Sequence, residues 1–201
     1  MIARDRASLA GVSPTELNPG DDPVARFRAE ATAVSSQVSE CAASALADHV
    51  AEIAARHGAT RVGVADDLPI GFEDVARAVA ARGGVAVRFA EAARDRERLA
   101  GLEATVTGCV AAVAATGSVA VGSAAGRTAA LIAPVHICVV ERDRVVSGLR
   151  ELLAMRPRVG GSMLALQTGP SRTADIEKAI VLGVHGPHVS EIVILDAASA
   201  R

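Results

Sequence analysis

From Gly58 to Leu195 the chain keeps repeating one unit: a short apolar run, a turn, then an Ala- and charge-rich stretch. Arg61–Val64 is followed by Asp66-Asp67-Leu68-Pro69 and a helical stretch, Phe72–Ala81, that stops at Gly83-Gly84. Val85–Phe89 is the next strand, and Glu91–Leu99 the next helix, ending at Gly101. Short strands alternating with helices require a mostly parallel sheet with helices on both faces, because parallel strands need crossover connections and bury both sides. Few other folds fit this spacing.

The rest of the chain extends the pattern. Val110–Ala115 and Val119–Val121 flank Thr116-Gly117-Ser118 and form either a hairpin or a strand broken by a tight loop. Gly122–Thr128 opens a helix through Leu131, stopped by Pro134; Val135–Val140 is a strand, and Asp143 caps a helix through Met155. Ser162–Gln167 is a strand, Thr173–Leu182 a helix, and Glu191–Leu195 the last strand. Ahead of the repeat, Val24–Arg56 contains neither Gly nor Pro. Val34, Val38, Cys41, Ala45, Leu46, Val50 and Ile53 recur at helical spacing there, which predicts one long helix with Ser35, Ser36 and Ser39 as a possible break. Residues 1–23 hold Gly11, Pro14, Pro19, Gly20 and Pro23 and read as a mobile arm; residues 24–201 read as a single domain.

Composition excludes several functions. A net charge of -2 gives no basic face for nucleic acid, Tyr and Trp are absent, and Lys178 is the only Lys. No apolar run approaches the roughly 20 residues of a membrane-spanning helix, and no secretory leader is visible, so the chain is expected in the cytoplasm and off the membrane. Cys41, Cys109 and Cys138 are far apart with no CxxC, so they are expected to be reduced, mostly buried thiols rather than ligands of a zinc or iron–sulfur centre.

Three loops carry candidate chemistry. They are Thr116-Gly117-Ser118, Gly122–Thr128 with Gly126-Arg127, and Thr168-Gly169-Pro170-Ser171-Arg172-Thr173. In an open parallel sheet ligands collect at the carboxyl ends of the strands, so the three loops can converge on one rim. Their backbone N–H groups, their hydroxyls, and Arg127 and Arg172 suit a carboxylate or phosphate. The Thr168–Thr173 loop also precedes an expected helix start, a natural anion cradle, although structural capping by Ser171 and Thr173 explains it equally well. Asp175 and Glu177 cannot share one helix face; Asp175, nearer the loop, is the site candidate. His185-Gly186-Pro187-His188 supplies too few ligands for a metal site, and His136 and His49 are expected to be structural.

Thr116-Gly117-Ser118, Gly126-Arg127, Pro134-Val135-His136-Ile137, the block Thr168–Glu177, and Gly183-Val184-His185-Gly186-Pro187 occur here in one order. In that order they closely resemble the LUD-domain family, in particular its lactate utilisation protein C (LutC, YkgG-like) group. The resemblance implies a NagB/RpiA/CoA-transferase-like fold, a three-layer Rossmann-like α/β sandwich. It also implies a part in the oxidation of L-lactate to pyruvate, with the iron–sulfur clusters carried by partner proteins and no cofactor in this chain. Arg127 and Arg172 would then hold a small anion, with Thr116, Ser118, Ser171 and Thr173 as donors and His185 as a proton carrier. The family's usual Glu before Thr-Gly is replaced by Ala115, which weakens a simple catalytic role. Two other readings stay open: a transferase or isomerase of a phosphosugar or CoA ester using Asp175, and a non-catalytic scaffold.

Overall fold

The structure is a computed structural model describing residues 20–126, 128–155, 163–174, 180–182 and 186–196. Its centre is a six-stranded, wholly parallel sheet of β1 (Gln37–Cys41), β2 (Arg61–Val64), β3 (Val85–Arg88), β4 (Ala104–Thr107), β7 (Val135–Glu141) and β12 (Val189–Leu195). The order across the sheet is β1-β12-β7-β4-β2-β3. Both faces of the inner strands are covered, so β2, β4, β7 and β12 are buried almost throughout, while the edge strands β1 and β3 are partly exposed. On β7, Val135, Ile137 and Val139 enter one core with α2 (Leu46–Arg56) and α3 (Phe72–Ala80), while Cys138 and Val140 enter the other.

The second core joins the sheet to α1 (Pro23–Ala33), α4 (Phe89–Ala92) and a smaller four-stranded sheet. That sheet comprises β5 (Ala111–Val113), β6 (Ser118–Gly122), β8 (Val145–Val146) and β9 (Leu164–Gln167), in the order β8-β5-β6-β9. Leu152 of α6 (Leu149–Met155) packs with Ala111, Val113 and Ala120 in a third, minor cluster. The expected α/β sandwich is therefore present. Thr116-Gly117-Ser118 lies at the turn of an antiparallel hairpin, β5–β6, rather than in a broken strand.

Five expectations about elements are corrected. The long helix over Val24–Arg56 is instead α1, β1, a short 3-10 turn at Ala43–Ala45, and α2. Ser35 turns left-handed at φ 71°, and the Ser36 N–H closes on the Ala31 carbonyl at 2.9 Å. Ser36 and Ser39 then bond Ser190 and His49 at 3.0 and 2.8 Å. Pairing of Gln37–Cys41 with β12 outweighs local helix propensity, which is only a weak prior. The expected helix Thr173–Leu182 is replaced, in its described parts, by an antiparallel pair, β10 (Arg172–Ala174) and β11 (Ile180–Leu182).

The stretch from Asp143 holds a 3-10 turn and β8 before α6 begins at Leu149, and the helix expected after Gly122 is a single 3-10 turn, Ser123–Ala125, followed by turns. Glu91–Leu99 is split between α4 and α5 (Arg96–Ala100), with Asp95 capping α5 through the Glu97 and Arg98 N–H groups. Strand β4 was not expected at all, because Gly101 and Gly108 bracket only Ala104-Thr105-Val106-Thr107. The arm expected over residues 1–23 falls almost wholly outside the described residues; Asp22 caps α1 through the Val24 N–H at 2.9 Å, and Pro23 opens that helix.

Candidate functional site

Two of the three candidate loops meet. Strands β6 and β9 are antiparallel neighbours with Val119 opposite Gln167, which sets Ser118 beside Thr168. The Thr116 and Ser118 hydroxyls lie 2.7 Å apart, and those of Ser118 and Thr168 also 2.7 Å. Gly117 (φ 63°) and Gly169 (φ 74°) press on the end of α1. A Cβ on Gly117 would lie 2.3 Å from the Ala31 nitrogen, and one on Gly169 2.1 Å from the Val34 oxygen. These loops are thus packed on a helix carboxyl end, where the partial charge is negative and disfavours an anion. The helix start that was to supply the cradle after Thr168 is also missing, since Arg172–Ala174 is a strand.

Ser171 and the later Gly-Pro do come together. The Ser171 N–H donates to the Pro187 carbonyl at 2.8 Å, and a Cβ on Gly186 would sit 3.0 Å from that of Ser171. Asp175, His185 and Arg127 lie outside the described residues, and Arg172 and Thr173 are described only as backbone of β10. His136 is structural as expected: it is fully enclosed, its Nε2 is 2.9 Å from the Thr107 hydroxyl, and burial drives its pKa down to about 4 against a hydrogen bond with the Gln167 side chain.

The third loop builds a cavity elsewhere. The chain leaves β2 to one side for β3, then crosses to β4 on the other side of β2, so a crevice opens beyond the carboxyl ends of these strands. Beside it a cavity of about 250 Å³ is lined by Asp66 after β2, by Phe89, Ala90 and Ala93 of the β3–α4 corner, and by Ser123, Gly126 and Thr128. Gly126 (φ 98°) is required there, because a Cβ would lie 2.5 Å from the Phe89 ring. Asp66 faces Arg88 at 3.5 Å, and the Arg88 guanidinium stacks on Phe72 at 4.3 Å.

Asp67, one residue on, accepts the Gly108 N–H at 2.9 Å and so latches the exit of β2 to that of β4. Burial pushes the Asp67 carboxyl up, partly offset by that N–H. A second cavity, about 130 Å³ between α2 and α3, lies at the opposite, amino end of β2 beside Thr60. Among the described residues no group of three or more His, Cys, Asp or Glu is arranged to hold a metal ion, and no helix is long and apolar enough to cross a membrane.

The sequence model of the LUD domain matches residues 24–195. The chain belongs to the LUD-domain family. This LUD-domain chain is 38% identical over 99 residues to lactate utilization protein C of Deinococcus radiodurans, covering 46% of each protein, so it spans less than half the length of that relative. It is 24% identical over 189 residues to lactate utilization protein C of Geobacillus sp., covering 87% of this chain and 78% of that one. A crystal structure of a DUF162 family protein from Deinococcus radiodurans superposes with a TM-score of 0.61 at 20% identity, over 89% of this chain and 100% of that one, which supports the fold.

Sequence reasoning did not find the Asp66–Phe89 side of the cavity. The ends of β2 and β3 were visible in the apolar runs. Without β4, however, the reversal of strand order that opens the crevice could not be placed.

Proposed function

We propose that this LUD-domain chain serves lactate utilisation, acting with iron–sulfur partner proteins, and takes a small carboxylate or phosphate-bearing ligand in the cavity between Asp66, Phe89 and Gly126. What carries the pathway is family membership together with two relatives named lactate utilization protein C. What supports the cavity is its place at the carboxyl edge beside the strand reversal, where open α/β sheets bind ligands. A volume of about 250 Å³ suits a molecule of a few heavy atoms, being below the 300–1,000 Å³ of sites for drug-sized ligands. Arg88, 3.5 Å from both Asp66 and Glu73, brings a positive charge to the rim that partly offsets these carboxylates.

The test is genetic and then biochemical. A strain lacking the gene is expected to lose growth on L-lactate and to keep growth on pyruvate; normal growth on lactate would reject the pathway. Ala93 is exposed on the cavity rim, so Ala93→Trp fills the space without disturbing the core. The folded variant is expected to fail to restore growth. Full restoration by folded Ala93→Trp would reject the cavity and leave the pathway standing.

A further inference from the structure

Cys109 and Cys138 are separated in sequence but brought together by the sheet. Strands β4 and β7 are parallel neighbours, with Thr107 opposite Cys138 and Cys109 two residues further along the exit of β4. The Cys138 Sγ reaches the Gly108 carbonyl, in the peptide group leading into Cys109, at 3.9 Å, and Cys109 is the strongest influence on the Cys138 thiol. Two contacts fix the backbone at Cys109, one from the turn after β7 and one from the turn after β2. Arg144 Nη1 donates to the Cys109 carbonyl at 3.1 Å, and Asp67 accepts the Gly108 N–H at 2.9 Å. Gly108 has no room for a side chain, since a Cβ would lie 2.4 Å from the Asp67 backbone oxygen, so the exit of β4 is fixed against that of β2. All three cysteines are free thiols; Cys41 sits on β1, with β12 between it and β7.

We propose that Cys109 and Cys138 form a reversible disulfide under peroxide, tying the exit of β4 to β7 beside the ligand crevice. Cys109, 6% exposed and at the strand exit, meets the oxidant before Cys138, which is 1% exposed. The Cys109 sulfur, giving up its proton, attacks one peroxide oxygen. The O–O bond breaks, and Cys109 sulfenic acid and water result. The Cys138 sulfur then attacks the Cys109 sulfur. The S–S bond forms, the S–O bond breaks, and hydroxide leaves with the Cys138 proton as a second water. The two sulfurs together lose two electrons, and hydrogen peroxide takes them up. The hydrogen bond to Cys109, and then burial, push the Cys138 thiol well up, so Cys138 does not react with peroxide directly and Cys109 is the first to be oxidised.

The test treats the native full-length chain with hydrogen peroxide, quenches it, and counts thiols after unfolding. Two of the three thiols are expected to be lost with no gain of oxygen, peptide mapping is expected to join Cys109 to Cys138, and dithiothreitol is expected to restore both. Cys41→Ser, which leaves the pair intact, is expected to behave in the same way, with both remaining thiols lost together. Three intact thiols after treatment would overturn the proposal, as would a bridge through Cys41 or Cys109 carrying added oxygen without a bridge to Cys138.

Discussion

Replacing Gly117 with Ala separates packing from ligand binding in the Thr116–Ser118 loop. Gly117 has φ 63°, and a Cβ there would lie 2.3 Å from the Ala31 nitrogen and 2.5 Å from the Glu30 carbonyl carbon. Left-handed backbone at a residue bearing Cβ costs about 1–2 kcal/mol. Forcing an atom against helix backbone, which has no side chain to swing aside, adds about 1–3 kcal/mol. Gly83 isolates the first effect: its φ is 79°, but nothing lies within 4 Å of its Cβ position. Gly83→Ala is therefore expected to cost about 1–2 kcal/mol and Gly117→Ala about 2–5 kcal/mol. For a chain of this size the melting temperature falls by about 2–4 °C per kcal/mol. Urea unfolding followed by circular dichroism, with both variants side by side, measures the difference. If Gly117→Ala is no less stable than Gly83→Ala, the loop does not rest on α1, and the packing argument fails. Gly169→Ala, facing the Val34 oxygen at 2.1 Å, is expected to match Gly117→Ala.

His136 is neutral in the fold with a pKa of about 4, while an unfolded His titrates near 6.5. Its contribution is complete above about pH 6.5 and is lost as the pH falls toward about 4, by up to roughly 3 kcal/mol. Urea midpoints across that range are expected to fall less steeply for His136→Gln; an unchanged slope would place the titration elsewhere. Glu191, 1% exposed, accepts from His57 at 2.6 Å and from Arg56 at 2.9 Å. Arg56→Ala alone is expected to cost under about 1 kcal/mol, its side chain being half exposed, and His57→Ala about 1–3 kcal/mol. The double substitution leaves the carboxylate buried and unpaired, for about 3–5 kcal/mol; strict additivity in a double-mutant cycle would refute this. Ser118→Ala removes the centre of the Thr116–Ser118–Thr168 chain and is expected to cost about 1–3 kcal/mol, against about 0.5–1.5 kcal/mol for exposed Thr168→Ala.

Residues whose environment is set by near neighbours in the chain were legible. The runs Arg61–Val64 and Val135–Glu141 are apolar because both faces of their strands are buried, the edge run Val85–Arg88 is apolar though partly exposed, and Gly58 and Gly83 end the helices before them. The family, too, was carried by linear blocks, above all Thr168–Glu177. Where a segment's partner lies far away in sequence, the reading failed. Gln37–Cys41 looks helical until β12, about 150 residues later, offers it an edge to pair with. Arg172–Ala174 looks like a helix start until Ile180–Leu182 folds back on it.

The sequence by itself therefore determined the α/β class, the family and the set of glycine and hydroxyl loops, all of which depend on local pattern. Only the tertiary structure decided what those loops do. Gly117 and Gly169 are glycines because α1 lies against them, and Gly126 because the Phe89 ring does. Strand order likewise decided that Asp66 faces a cavity and that Cys109 meets Cys138. Both follow from which strands become neighbours, and that is settled by burial of whole faces rather than by any short stretch of residues.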